Sequence, residues 1–186
     1  SSTPTTPPTV ARAQAPAGSQ GLFWLPYLMG ERTPHLDATA RGGWIGLTAS
    51  HQRADLVRAV IEGVSYSQRD CLEIIEALGV PVRSVRASGG GASSPFWRQV
   101  LADVLNRRVV TLATQEGSAY GPALLALVAT GAYRTAQEAC AAVMQEVTAK
   151  EPDPEAAAFY DRHYRVYQAL YPALKPIYPQ IQKLDA

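Results

Sequence analysis

The stretch VRSVRASGGGASSP, residues 82–95, decides the reading of this chain. Residues 82–87 carry Val82 and Val85 and predict a strand. Ser88 and three glycines then turn the chain. Ser94 can cap a helix and Pro95 suits its first position. Trp97, Val100, Leu101, Val104 and Leu105 follow at helical spacing, so the segment reads strand, tight turn, helix. Glycine has no Cβ, and a helix N-terminus is the positive end of a dipole, so backbone N–H groups in such a turn can approach an anion or a nucleobase closely. A tight turn that merely needs positive φ explains the same letters. No Gly-Lys-Ser/Thr follows, so this is not a Walker loop, and GxGxxG is absent.

Outward from this stretch the pattern repeats. Upstream, Val57, Val60, Ile61, Val64, Cys71, Leu72, Ile75 and Leu78 fall on one face of a helix expected over 53–78, with Thr48 or Ser50 as N-cap and Gly79 as the C-terminal stop. Arg53, Asp55, Arg58 and Glu62 lie mostly off that apolar stripe. Strands are expected at 21–25 and 43–47. Downstream, 108–112 is a short β run, and a helix opens near 118–121 and stops at Gly131. The Ala-rich segment 135–149 reads as helical, and 155–172 as a last helix with Tyr160, Tyr164, Tyr167 and Tyr171 along one face, a stripe more often core than binding platform. Strands alternating with helices imply an α/β domain with a parallel sheet covered by helices.

The chain has 186 residues, 47% hydrophobic and 18% charged, with a formal net charge of +1. That length is one domain with room for an appended element. Near-neutral charge argues against a nucleic-acid footprint and a polybasic membrane face. No apolar run approaches the roughly 20 residues of a membrane span, and no signal peptide is visible. Two cysteines, Cys71 and Cys140, stand 69 positions apart and make neither a disulfide framework nor a zinc site. A reduced, cytoplasmic setting is expected. Residues 1–20, rich in Pro, Ser and Thr, read as a flexible lead-in. Residues 21–150 read as the main domain and 151–186 as a C-terminal helix and tail.

Two further segments hold chemistry-bearing residues. Glu116, Gly117, Ser118, Ala119, Tyr120 and Gly121 form a second small-residue turn between strand and helix. Two such turns after successive parallel strands share the sheet edge where ligands of open α/β sheets bind. Close helix–strand packing explains Gly121 at least as well. The loop from Gly30 to Asp37 gathers Glu31, Arg32, His35 and Asp37, which could serve acid–base chemistry. The favoured reading from the residues alone is a salt-bridged structural loop. His51 and His163 are placed on helical segments as surface or packing residues.

Together these segments resemble the FGGY family of carbohydrate kinases. GGWIGL at 42–47, a seven-residue gap, and DLVRAVIE at 55–62 fit the family's second signature at each constrained position. LPYLMGERTPH at 25–35, followed by Ala40, Arg41 and Gly42, is most similar to the family's xylulokinase-like branch, and gluconokinase-like members share much of it. GGGAS at 89–93 and QVLADVL at 99–105 look like the adenosine-binding loop and its following helix. The resemblance spans about residues 21–172. It implies the C-terminal domain of an actin-like, ribonuclease-H-like ATPase with a mixed or parallel sheet, its first strands missing. It also implies ATP with Mg²⁺ as cofactors, and transfer of the γ-phosphate to a ketopentose, D-xylulose first. Gly89, Gly90, Gly91, Ala92 and Ser93 would lie against the adenosine and α-phosphate. No catalytic or metal-ligating residue is expected in this chain, since the family's Asp general base sits in the N-terminal domain, the expected partner of this one. The isolated chain should expose apolar surface, with a homodimer as one outcome. A truncated, non-catalytic nucleotide-binding or interaction protein, or another sugar kinase of the family such as a gluconokinase, is the alternative. The sequence departs from the family in two places: Ser94 and Pro95 stand where Asn is frequent, and Gly121-Pro122-Ala123 replaces Gly-Ala-Ala.

Overall fold

The computed structural model describes residues 15–113 and 117–184. Strand β1 (Phe23–Leu25) pairs antiparallel with β2 (Gly43–Ile45), Trp24 opposite Trp44, with their rings 4.4 Å apart. These two strands form a sheet of their own. Helix α1 (Arg53–Ala77) follows, then β3 (Ser84–Arg86), a 3-10 turn (Gly90–Ser93), α2 (Pro95–Leu105), β4 (Arg108–Leu112), α3 (Gly117–Ala129), α4 (Ala136–Val143), β5 (Glu146–Lys150), α5 (Pro154–Leu174) and α6 (Tyr178–Gln182). The second sheet has the order β3-β4-β5, with β3 parallel to β4 and β5 antiparallel to it. The sheet is therefore mixed. Among the described residues, no strand pairs with the outer edge of β3.

One expectation needs correction here. The helix expected over 135–149 ends at Val143, and Glu146–Lys150 is a strand. Val147 and Thr148 are β-branched, and β4 offers a free edge beside them: Val109 pairs with Lys150, and the Thr111 and Thr148 hydroxyls meet at 2.5 Å. Of the mixed or parallel sheet expected, the mixed form is found: β2 pairs with β1 apart from the main sheet, and β5 runs antiparallel to β4.

Helix α1 starts where expected but is capped differently. Thr48 and Ser50 bond each other, and Thr48 N–H donates to the His51 ring, so neither caps the helix. Gln52 is the N-cap in a capping box with Asp55, whose carboxylate accepts the Gln52 N–H at 2.8 Å. His51 precedes the helix, not on it. Gly79 ends it at φ +81°. Mid-helix, Gly63 is where β1 crosses: a Cβ there would sit 2.1 Å from the Trp24 carbonyl oxygen, so glycine permits the close approach.

The buried face of α1 is more polar than its stripe suggests. Ile61, Tyr66 and Leu72 are buried, but so are Asp55, Glu62 and Asp70, while Ile75 and Leu78 are exposed. Glu62 accepts from Gly18 N–H, the Ser19 and Tyr160 hydroxyls and Arg58 Nε, all at 2.8–2.9 Å. Arg58 also donates to the Ala15 carbonyl and the Tyr160 hydroxyl. Ala15 and Ser19 are buried by this hub, so residues 15–20 of the lead-in expected over 1–20 are held by packing, and residues 1–14 lie outside the described residues.

Helix α5, capped by Asp153, lays Tyr160, Tyr164, Tyr167 and Tyr171 into the core against Tyr66, as expected of the stripe. Its tyrosines join Leu25, Tyr27, Val100 and Val104 in the main core, and α2 with β4 and Leu72 forms a second. Cys71 and Cys140 are both free thiols. Among the described residues no helix is long and apolar enough to cross a membrane.

Candidate functional site

The glycine turn leaves the C-terminal end of β3. Gly89 sits at φ +83°, ψ −174°, a conformation that only glycine adopts freely. Gly90–Ser93 then make one 3-10 turn, closed by Ser93 Oγ donating to the Gly90 carbonyl at 2.7 Å. Ser94 caps α2, its Oγ accepting from Trp97 N–H at 3.3 Å, and Pro95 occupies the first helical position as expected. The Ser94 hydroxyl is thus engaged by the helix as its cap.

Two neighbours hold the turn in place. A Cβ on Gly91 would touch the Trp97 ring at 3.1 Å, so the turn rests on that indole. Arg98 Nη1 donates to the Ala92 carbonyl. On the other side there is open space: a Cβ added at Gly89 or Gly90 meets no atom within 4 Å. Next to the turn lies a cavity of about 580 Å³. Ser88, Gly91, Ala92 and Arg98 line it together with the apolar Leu72, Val85 and Leu101. Of the five residues 89–93, Gly91 and Ala92 line this cavity, with the start of α2 behind them. The sequence pattern did not mark Arg98, and it marked Trp97 only for its helical spacing. Their role depends on the turn folding back over the helix, and spacing alone carries no sign of that.

The second turn follows β4, which is parallel to β3, so both turns leave strand ends on the same sheet edge. Helix α3 opens at Gly117, and Pro122 lies inside it. Glu116 lies outside the described residues, so its expected place beside the glycine turn has no structural account.

The 30–37 loop is hydrogen-bonded, and among the described residues none of its charged groups forms an ion pair, which corrects the salt-bridged reading. The Glu31 carboxylate accepts from Thr33 and His35 N–H, each at 2.6 Å. Asp37 accepts from Thr39 N–H, the Thr39 hydroxyl and the Tyr171 hydroxyl, and these hydrogen bonds hold its carboxyl down at about 2. The His35 ring stacks on Tyr171, centroids 3.5 Å apart, and burial lowers its pKa. With both carboxylates occupied in shaping the loop, the acid–base reading gains no support. His163 packs between Phe159 and Phe23, as a packing residue should.

Comparison with known proteins supplies what geometry cannot. A xylulose kinase of Staphylococcus epidermidis is 39% identical over 165 residues, covering 89% of this chain and 33% of that protein. A solved ligand-bound xylulose kinase from Lactobacillus acidophilus superposes with a TM-score of 0.86 at 35% identity, over 94% of this chain and 35% of that one. A gluconate kinase from the same organism superposes with a TM-score of 0.85, also at 35% identity, over 94% of this chain and 35% of that one. The chain spans about a third of the length of these relatives. Residues 5–130 match the model of the FGGY family of carbohydrate kinases, C-terminal domain. With the glycine turn, the mixed sheet and these matches in agreement, the chain belongs to the FGGY family of carbohydrate kinases.

Proposed function

We propose that this chain is the ATP-binding portion of a sugar kinase that transfers the γ-phosphate of ATP to a ketopentose, D-xylulose first, in the cytoplasm. The observation that carries the nucleotide part is the open space at Gly89 and Gly90, next in sequence to Gly91 and Ala92, which line the 580 Å³ cavity. The residues present fit a nucleotide. Gly89, Gly90, Gly91, Ala92 and Ser93 offer a surface without bulky side chains, where a β-carbon would intrude on a flat base or a phosphate. Trp97 and Arg98 fix that surface from behind, so little ordering remains to be done on binding. The α2 N-terminus adds a positive dipole end.

ATP supplies the phosphoryl group, and this chain's residues bind and orient it. Phosphoryl transfer depends on positioning and charge stabilisation of an in-line arrangement, with a base near the accepting hydroxyl. No described residue is assigned the base. Glu31 and Asp37 are held by their loop. Among the described residues, no three His, Cys, Asp or Glu side chains converge on a metal position, so these residues make no Mg²⁺ site of their own and no step is assigned to one. On its own, the chain is expected to turn over no ATP against D-xylulose.

The acceptor is read from relatives named xylulose kinase. Gluconate is the second reading, because the gluconate kinase superposes equally well at the same identity. Calorimetric titration with ATP tests the nucleotide part. Saturable binding that Gly90→Val abolishes while the fold persists is expected. Equal binding in folded wild type and Gly90→Val removes the turn from the site. ATP consumption assayed with D-xylulose and with gluconate, on the chain joined to the remaining two-thirds of a relative, then separates the two acceptors.

A further inference from the structure

A second cavity, about 190 Å³, opens between the 30–37 loop and α5. Rings of Tyr27, His35, Tyr167 and Tyr171 wall it, and Asp70 and Gln168 supply its polar lining. The walls are fixed. Tyr27 meets Tyr171 edge-on with centroids 6.1 Å apart, and the Tyr27 and Tyr167 hydroxyls bond at 3.1 Å. Asp70 is only 8% exposed, yet its carboxylate is half partnered: Oδ1 accepts the Tyr164 hydroxyl at 2.6 Å, and among the described residues no donor reaches Oδ2. The nearest cation, Arg69, lies over the Tyr164 ring at 4.3 Å and is engaged by Asp161 and Glu73. Glu31 and Glu73 add negative charge around Asp70.

A buried, under-compensated carboxylate behind electron-rich ring faces attracts a cation. Hard divalent ions demand about six or more oxygen ligands, and among the described residues no cluster of three metal-ligating side chains exists. A cation with N–H donors and a small apolar body matches the lining instead. We propose that this pocket is a binding site for a small primary ammonium cation, its nitrogen on Asp70 Oδ2 and the Tyr27–Tyr167 hydroxyls, its alkyl part against the tyrosine rings. The site is separate from the glycine turn and does not depend on the nucleotide reading.

The carboxylate must be ionised to hold the cation. Burial raises Asp70 to about 6, with Glu73 and Glu31 adding to the rise and Tyr164 and Arg69 opposing it. Tyr27, Tyr164 and Tyr167 stay neutral, raised by burial, and His35 is lowered. Affinity should therefore be constant above about pH 6 and fall roughly tenfold per pH unit below it.

Isothermal calorimetry on the 186-residue chain, with methylammonium chloride at pH 7.5 and 5 and potassium chloride as the comparison, tests this. Saturable methylammonium binding is expected, about tenfold weaker at pH 5, at least about tenfold weaker in Asp70→Asn, and tighter than for potassium. Circular dichroism checks that each variant is folded. Absence of saturable binding, undiminished binding in folded Asp70→Asn, or tighter potassium binding overturns the proposal. If Asp70→Asn does not fold, Tyr27→Leu and the pH 5 titration decide, and unchanged affinity in both overturns it.

Discussion

The Tyr160 hydroxyl donates to the buried Glu62 carboxylate at 2.8 Å, across 98 residues of sequence. Glu62 is 2% exposed and has four donors, and Arg58 is fixed in turn by Tyr160 and the Ala15 carbonyl. Removing one partner from a buried, fully bonded charge strands the others. Glu62→Ala is expected to destabilise the chain by about 3–5 kcal/mol, and Tyr160→Phe by about 1–3 kcal/mol, in equilibrium urea unfolding. The double variant should lose less than the sum, because the two changes remove one shared interaction.

The three glycines of the turn should separate by mechanism. Gly89→Ala places a side chain at φ +83° and is expected to cost about 1–3 kcal/mol. Gly90→Ala meets open space and should leave the melting temperature unchanged or slightly raised. Gly91→Ala presses the Trp97 ring and should fall between. Differential scanning calorimetry of the three variants checks the order.

Two carboxylates pull the acid side of the stability profile in opposite directions. Asp70 is raised to about 6 in the folded chain, above its unfolded value, so the native state binds the proton more tightly and stability rises as pH falls from about 6 to 4. Asp37 is lowered to about 2, so its contribution is present above about pH 4 and is lost as pH falls through 2. In buffer free of ammonium ions, Asp70→Asn should remove the rise between pH 6 and 4. It should also gain stability at pH 7.5, by up to about 3 kcal/mol. Asp37→Asn should flatten the loss below pH 4. Thermal melts across pH 2–8 read both.

Ser94 is predicted to serve stability as a cap. Ser94→Ala should cost about 1 kcal/mol, whereas Ser94→Asn, an equally good cap, should stay within about 0.5 kcal/mol of the parent. Urea midpoints of the two variants decide. Equal losses in both would mean that the hydroxyl does something an amide cannot.

Local chemistry was legible in the sequence wherever one segment decides its own structure. The 3.6-residue period placed α1 within a residue of its end, β4 fell on the expected 108–112, and the tyrosine stripe of α5 faces the core. The glycine turn lies between strand and capped helix as its letters require. What the letters hid depends on partners elsewhere in the chain. Glu62 and Asp70 look like solvent-facing charges because their tyrosines come about a hundred positions later. Strand β5 was masked by the alanines before it, and its pairing edge belongs to β4. The local alternation of β2 does not reveal that its mate is β1, in a separate sheet. The Arg98 clamp on Ala92 spans only six residues and was invisible because it depends on the turn folding back over α2.

The tyrosine seam of α5 has a consequence for the newborn chain. A ribosome adding about 5–20 residues per second delivers Tyr160 some 5–20 s after Glu62. Through that interval Glu62 has only its Gly18, Ser19 and Arg58 donors, Asp70 lacks the Tyr164 hydroxyl, and the tyrosine rings that cover this face of α1 are absent. Folding is thereby tied to the completion of a late helix. A product terminated upstream of Pro154 would be an open chain, exposed to proteases, and not a smaller version of the domain.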